Sequence, residues 1–354
     1  VERYLCALRS EIAARCSSAG CTGEAVDTLY FGGGTPSLLE PSDIKELIDT
    51  VRNHYHLQDG AEITVEVNPG TVNAERLTAF REAGITRVSI GAQSFDDDVL
   101  AMLGRIHRRR DIEQTLRHTE AAGFSSLSLD LIFALPGQSI REWEETLQSA
   151  LQYAPPHISV YCLTPEEGSP LGDAILRGDV KMPSDEESLA MYQHLYSIFR
   201  ERGYSHYEIS NFALEGHRCR HNWKYWSGED YSGYGSSASS YENRWRFTNS
   251  RDPFEYAGKI EACGSAVQEA ERLSLERQMG EYVMMALRTG RGVSVSKFNH
   301  RFGVDFYKIY GTAAASLKDC GYLVETDEAG EDGPCLRIPE LHLFIASEIA
   351  LKFL

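Results

Sequence analysis

Long apolar runs are missing from this chain of 354 residues: none approaches the ~18 positions that a membrane-spanning helix needs. Basic residues are short as well. The 35 Lys and Arg stand against 52 Asp and Glu, a formal net charge of −17. General affinity for nucleic acid or anionic lipid needs a basic footprint, so nucleic acid is not an expected partner. Eight cysteines are too sparse for a disulfide scaffold. They are Cys6, Cys16, Cys21, Cys162, Cys219, Cys263, Cys320 and Cys335. No pair has C-x2-C spacing, which excludes zinc ribbons and thioredoxin motifs, and no C-x2-C-H serves covalent haem attachment. Most of the eight are expected to be small buried hydrophobes, in a reducing, cytoplasmic setting. The chain opens Val1-Glu2-Arg3-Tyr4, with no Met, no apolar signal core and no Arg/Ser-rich transit segment. Internal repeats and low-complexity segments are absent too.

What is present reads as a globular protein: 42% of residues are hydrophobic and 25% charged, and the length allows two domains. Residues 2–16 put Leu5, Leu8 and Ile12 on one helical face. Strands are expected at 28–31, 63–67, 87–90, 127–132 and 157–161. Helices are expected at 41–57, 73–83, 96–103, 109–122, 140–153 and 185–202. Such alternation means βαβ units and a parallel sheet. Parallel βα folds place their chemistry at the C-terminal strand ends. Thr35, Glu66, Gln93 and Asp130 stand at or just past those ends, the pattern of a barrel-like α/β enzyme with one shared mouth. Residues 204–256 are aromatic and rich in Gly and Ser, and hold three of the four Trp. A charged helix over 266–288 then leads into a third region. Its pattern is helices at 275–288, 294–302 and 305–320, a strand at 322–326, a turn from Glu328 to Gly333, a strand at 335–338 and a helix at 340–353. Three helices followed by a two-stranded wing look like a winged-helix module.

Gly32-Gly33-Gly34-Thr35-Pro36 follows a strand and precedes a helix. Glycines there let the backbone approach a ligand and offer N–H groups to a carboxylate or phosphate, beyond what a tight turn needs. No Lys follows, so it is not a P-loop. Glu66, before Asn68-Pro69, can hold an amine, a ribose diol or a metal, or serve the fold alone. Asp130 lies in an otherwise apolar strand, where an unpaired charge is costly, so it has a partner, either a ligand or a structural Arg. Arg105-Ile106-His107-Arg108-Arg109-Arg110 is the strongest basic cluster, either a solvated face or a carboxylate-binding one. His221-Asn222-Trp223-Lys224-Tyr225-Trp226, preceded by His217 and Cys219, offers aromatic walls and an axial ligand to a flat metal-bearing group, or forms an aromatic domain junction.

The ordered set of motifs is closer to diagnostic. Tyr30-Phe31-Gly32-Gly33-Gly34-Thr35-Pro36-Ser37, Glu66-Val67-Asn68-Pro69, Ser89-Ile90-Gly91-Ala92-Gln93-Ser94-Phe95, Leu103-Gly104-Arg105-Ile106-His107 and Ser128 through Gln138 come in this order. They closely resemble the radical S-adenosylmethionine (SAM) proteins of the oxygen-independent coproporphyrinogen III oxidase family. Tyr207-Glu208-Ile209-Ser210-Asn211-Phe212 and His221-Asn222-x-x-Tyr225-Trp226 narrow the resemblance to its HemW-type branch, regarded as haem chaperones. The resemblance implies an incomplete (β/α)6 TIM-like barrel holding SAM beside a [4Fe-4S] cluster, followed by the winged-helix-like α+β domain. The implied SAM residues are Gly33, Gly34, Thr35, Glu66, Gln93, Arg105 and Asp130. The implied haem region is His221, Asn222, Tyr225 and Trp226, with His221 as an iron ligand. The implied partition is a barrel over 1–205, a connecting region over 206–265 and the C-terminal domain over 266–354.

Two departures stand out. The family's C-x3-C-x2-C cluster motif and the barrel strand before it are expected just ahead of the helix that begins near Tyr4, and neither is in the sequence. Three thiolates are needed to hold such a cluster. A fragment or a mis-assigned start is therefore expected, with an exposed sheet edge. Relatives also commonly show Ala-His-Ser where this chain has Ala238-Ser239-Ser240. The main expectation is a haem chaperone that delivers haem to a respiratory haemoprotein, at the membrane surface. The alternative is the family's oxidase, which decarboxylates two propionates of coproporphyrinogen III. A DNA-binding tail is disfavoured, since Lys297, Arg301, Lys308 and Lys318 are matched by at least as many acids.

Overall fold

The computed structural model describes residues 1–19, 24–166, 168–326 and 333–354. Cys21 and most of the turn expected at Glu328 to Gly333 lie outside the described residues. Helix α1 (Glu2–Ala19) precedes a run of alternating elements: β1 (Ala25–Phe31), α2 (Pro41–His54), β2 (His56–Val67), α3 (Ala74–Ala83), β3 (Arg87–Gln93), α4 (Asp97–Met102), α5 (Arg109–Ala121), β4 (Ser126–Phe133), α6 (Ile140–Leu151) and β5 (His157–Cys162). Then come α7 (Pro170–Leu176), α8 (Asp185–Glu201), β6 (Ser205–Glu208) and β7 (Asn211–Ala213). These strands form one seven-stranded sheet in the order β1-β2-β3-β4-β5-β7-β6. The first five are parallel and β7 and β6 are antiparallel, so a short hairpin finishes the curl. β1 is the edge, with no strand beyond it among the described residues.

Local chemistry sets the element ends. Asn73 caps α3 by accepting from the Arg76 N–H, and Gly84 ends it at φ +115°. Ser139/Glu142 and Ser184/Glu187 form capping boxes on α6 and α8. The expected helix to residue 57 stops at His54, because the chain turns straight into a longer β2 whose start pairs with Ala25 and Val26.

The strands alternate. Leu29, Phe31, Ile63, Val65, Val67, Val88, Ile90, Leu129, Leu131, Ile158 and Val160 point outward onto the helices and make the main apolar core. Leu5 and Ile12 of α1 meet Leu47 and Val51 of α2, with Leu29 and Phe31 packed against them. The intervening residues of each strand point into the lumen, and most are polar.

After β7 the structure departs from the expected undivided aromatic stretch. Helix α9 (Arg220–Ser227) lies against β1, and β8 (Ser239–Glu242), β9 (Trp245–Asn249), α10 (Pro253–Cys263) and β10 (Val267–Arg272) follow. β10 corrects the expected helical start at 266: these residues pair antiparallel with β9, and the strand's backbone bonds override a charged sequence that also suits a helix. The buried Glu11 of α1 ties this unit down, accepting from the Gly235 N–H (2.9 Å), Asn249 Nδ2 (2.7 Å) and the Tyr256 hydroxyl (2.7 Å).

The third region holds α11 (Leu275–Leu287), β11 (Val293–Ser294), α12 (Val295–Phe302), α13 (Phe306–Asp319), β12 (Val324–Thr326), β13 (Cys335–Arg337) and α14 (Ala346–Ala350). Its sheet runs β11-β13-β12. Its Phe298, Phe306, Leu336 and Phe353 belong to the same apolar cluster as the barrel strands, so burial is continuous from one to the other.

The cysteines also differ from expectation. Of those described, Cys16, Cys219 and Cys335 are buried, whereas Cys6, Cys162, Cys263 and Cys320 are exposed, and all are free thiols. The exposed ones lie on α1, at the ends of β5 and α10, and just past α13, which ends at Asp319.

Candidate functional site

The C-terminal ends of β1 to β4 bring most of the implied SAM residues together. The Glu66 carboxylate accepts from the Tyr30 hydroxyl (2.9 Å) and the Gly33 N–H (3.2 Å). Gly32 passes so close that a Cβ there would sit 2.6 Å from the Tyr30 ring and 2.8 Å from Glu66, so only glycine fits. Gly33 takes φ +79°, and at both Gly33 and Gly34 a Cβ would meet nothing within 4 Å. The glycine turn thus has a tight side that grips Glu66 and an open side. Thr35 Oγ1 accepts from Asn68 Nδ2 (3.3 Å), and Ser37 and Thr71 share a hydroxyl contact of 2.7 Å, which locks the β1 and β2 loops to each other.

Gln93 ends β3 at φ +68°, and Ala134 follows β4 at φ +57°. Two non-glycine residues in left-handed backbone at neighbouring strand ends mark stored strain at the mouth. His107 Nε2 contacts the Ala92 carbonyl (3.3 Å), pinning the loop that carries Arg105 beside Gln93. Arg105 has no ion-pair partner among the described residues. Asp130 accepts from Ser89 (3.1 and 3.2 Å) and Ser128 (3.2 Å).

Burial works against the ionised form of both acids here. Burial raises the pKa of Asp130, and its seryl donors and Arg87 only partly oppose that. Burial likewise raises Glu66, against Tyr30 and the Gly33 N–H, with Asp130 adding repulsion. The sulfonium and ammonium of SAM would supply the missing positive charge, Arg105 its carboxylate partner and the open glycine edge its polar contacts. The residues present therefore fit SAM.

Below the mouth lies a polar floor that the motif reading missed. Arg87, only 2% exposed, faces Asp130, Glu62, Cys219, Tyr30 and Tyr207, and its Nε has no partner among the described residues. One hydrogen-bonded chain leads away from Asp130. Ser128 donates to Asp130 and meets His157 Nδ1 (2.7 Å), His157 Nε2 meets the Tyr207 hydroxyl (2.7 Å), and Tyr207 accepts from the Cys219 N–H (3.3 Å). Burial, with Arg87 nearby, drives the His157 pKa well down, so the ring is neutral. With Nδ1 as its N–H, every group in the chain is satisfied. The signal was available: Thr28-Leu29-Tyr30, Thr64-Val65-Glu66, Arg87-Val88-Ser89 and Ser128-Leu129-Asp130 each alternate polar and apolar residues.

The implied haem residues do not form one cluster. All lie on α9, whose N-terminus is capped by the Cys219 sulfur. His221 turns inward. Its Nδ1 contacts Thr28 Oγ1 (3.0 Å), its Nε2 contacts the Tyr225 hydroxyl (2.9 Å), and its ring stacks on Tyr30 at 5.1 Å. Burial lowers its pKa to about 4. It is a neutral imidazole with both nitrogens engaged, so ligating iron would cost one of those bonds. The Asn222 N–H points to Cys219 Sγ (3.5 Å). Trp226 faces the other way, into a cleft against α11 and α12. A 3.6-residue period puts 221 and 225 on one face and 223 and 226 on the opposite one.

Among the described residues no group of three or more His, Cys, Asp or Glu is arranged to hold a metal ion. No C-x3-C-x2-C spacing occurs among the eight cysteines of the sequence.

Comparison with known proteins bears on the family and the fold. The Radical SAM superfamily profile matches residues 10–150, and the HemN C-terminal domain profile matches residues 273–329. A heme chaperone HemW of Bacillus subtilis is 32% identical over 93% of this chain and 86% of its own length. A heme chaperone HemW of Lactococcus lactis is 33% identical over 83% of this chain and 77% of its own. The solved coproporphyrinogen III oxidase (HemN) of Escherichia coli superposes with a TM-score of 0.82 over 99% of this chain and 82% of that one, at 23% identity, which shows the fold. Membership of the superfamily implies SAM and a [4Fe-4S] cluster. No helix among the described residues is long and apolar enough to cross a membrane. The chain belongs to the HemW/HemN-like family of radical SAM proteins.

Proposed function

We propose that this chain is a haem chaperone: it holds haem on the α9 side of a SAM-binding barrel and passes it to a respiratory haemoprotein at the membrane surface. The observation that carries the reading is the match to heme chaperones along nearly the whole chain, barrel, α9 and C-terminal region together. The oxidase alternative leans on a solved structure of the same fold at 23% identity, which does not extend to chemistry. The cytoplasm is the proposed location.

In this reading SAM, when bound, supplies a sulfonium beside an ammonium and a carboxylate. Glu66 and Asp130 hold the cationic and diol parts, Arg105 holds the carboxylate, and Gly33, Gly34, Thr35 and Gln93 line the edge. Tyr30 orients Glu66 through its hydroxyl, and Ser89 and Ser128 orient Asp130. Equilibrium dialysis against SAM is expected to show at least tenfold weaker binding for Asp130→Ala than for the parent chain. Equal binding would remove Asp130 from the site.

Haem titration followed at the Soret band tests the chaperone role itself. Saturable, stoichiometric binding that survives gel filtration is the expected result. A folded chain that leaves the haem spectrum unchanged sinks the proposal.

A further inference from the structure

The geometry points to the cleft between α9 and the C-terminal region as the place where a flat, conjugated dicarboxylate such as haem docks, outside the barrel lumen; this rests on the chaperone reading above. The cleft measures about 580 Å³, within the ~300–1,000 Å³ typical of small-molecule sites, and it lies at a junction between structural units, where such sites concentrate.

Its walls are of two kinds. Trp223 and Trp226 of α9 face Tyr282 of α11. Aromatic faces suit a planar conjugated ring. Along the other side α12 and the turn before it present Arg291, Lys297, His300 and Arg301, in a protein of net charge −17. Glu229 is the acid among the described lining residues, and Lys224 (3.0 Å) and Ser227 (2.7 Å) already occupy its carboxylate. The described residues of the lining thus carry more basic than acidic side chains, which suits an anion.

Arg301 holds the two sides together. It donates to the carbonyls of Gly228 (2.7 Å) and Ser227 (3.4 Å) at the end of α9, and its guanidinium lies over Tyr282. The cleft is thus built from both units before any ligand arrives. The lumen face of α9 offers the opposite. His221 and Tyr225 are bonded to each other, and His221 is also bonded to Thr28. The carboxyls of Glu66 and Asp130 share that lumen and repel ligand carboxylates. Ring stacking and carboxylate pairing thus belong to the outer face of α9, and His300 offers the imidazole there.

The test titrates the full chain with haem, with zinc protoporphyrin and with zinc protoporphyrin dimethyl ester, which lacks the free carboxylates. Trp226→Ala, Lys297→Glu and His221→Ala are compared with the parent. Lys297 is exposed, so Lys297→Glu leaves the core intact if Trp226→Ala fails to fold. The expected result is at least tenfold weaker porphyrin binding in the two cleft variants, a similar loss for the dimethyl ester, and less than twofold change in His221→Ala. Binding that is unchanged in folded Lys297→Glu but lost in His221→Ala overturns the cleft and leaves the chaperone reading standing. A parent chain that binds none of the three overturns both.

Discussion

Arg87→Met is expected to destabilise the chain more than any other barrel substitution considered above, by about 3–5 kcal/mol. Arg87 begins β3 and is 2% exposed. Burial works to lower its pKa, and Cys219, Glu62 and the tyrosine hydroxyls outweigh it, so the net shift is upward. It is the cation that faces Asp130 from inside the sheet. Removing it leaves buried acids without a counter-charge, and breaking one side of a buried charge arrangement costs more than the arrangement is worth. At ~2 °C per kcal/mol in a chain of this size, the unfolding midpoint should fall by roughly 6–10 °C. Adding Asp130→Asn should recover part of the loss, because the two residues share one interaction. Midpoints of the two single variants and the double, measured side by side, check this. Additive losses would show that Arg87 does not neutralise Asp130.

Glu208→Gln is expected to act in the opposite direction and to depend on pH. Glu208 is fully buried in β6, and burial raises its pKa to about 8, against the Ser210 N–H that donates to it (3.2 Å). Asn211 also donates to it. The folded state keeps the carboxyl protonated up to about pH 8, whereas the unfolded chain loses that proton near pH 4.5. Between those values the folded state binds more protons, so stability falls as pH rises and stays reduced above pH 8. Glutamine removes that penalty, a gain on the order of 2–4 kcal/mol at pH 8 and little at pH 4. Glu66 and Asp130 titrate with the same sign, so the slope shrinks without vanishing.

The histidines set the acid limb. Burial holds His206 and His221 at about 4 and His157 well below its ordinary value. Their folded pKa values are depressed, so stability present above pH ~6.5 is lost as pH falls toward 4. Urea unfolding from pH 4 to 9 should show Glu208→Gln losing less stability than its parent as pH rises from about 4.5 to 8, hence a flatter alkaline limb, while the histidine-linked loss toward pH 4 is kept. An alkaline limb identical to the parent's would assign the slope to other groups.

Much of the fold was legible locally. The strand at 87–90, the helix at 73–83 and the glycine turn at 32–34 are encoded within a few residues, by β-branched runs, an Asn cap and a Gly stop. Glu66, Gln93 and Asp130 could be placed at strand ends for the same reason. The stretch 204–256 was not legible, because its short strands and α9 are stabilised by Glu11, Tyr256 and β10, which lie far off in sequence. β10 itself suits a helix as well as a strand until β9 lies beside it.

The sequence by itself determined the order of strands and helices, the mouth where the glycine turn and three of the candidate polar residues gather, and the family. A period of two or 3.6 is a local property, and motif order is a linear one. Only the tertiary structure decided what each face meets. It sank Arg87 among acids, ran the chain of bonds from Asp130 through His157 to Cys219, and split α9 so that His221 looks into the barrel while Trp226 looks out. Which side of a helix becomes inside depends on partners brought from distant parts of the chain, and those contacts, unlike periodicity, carry no mark in the neighbouring residues.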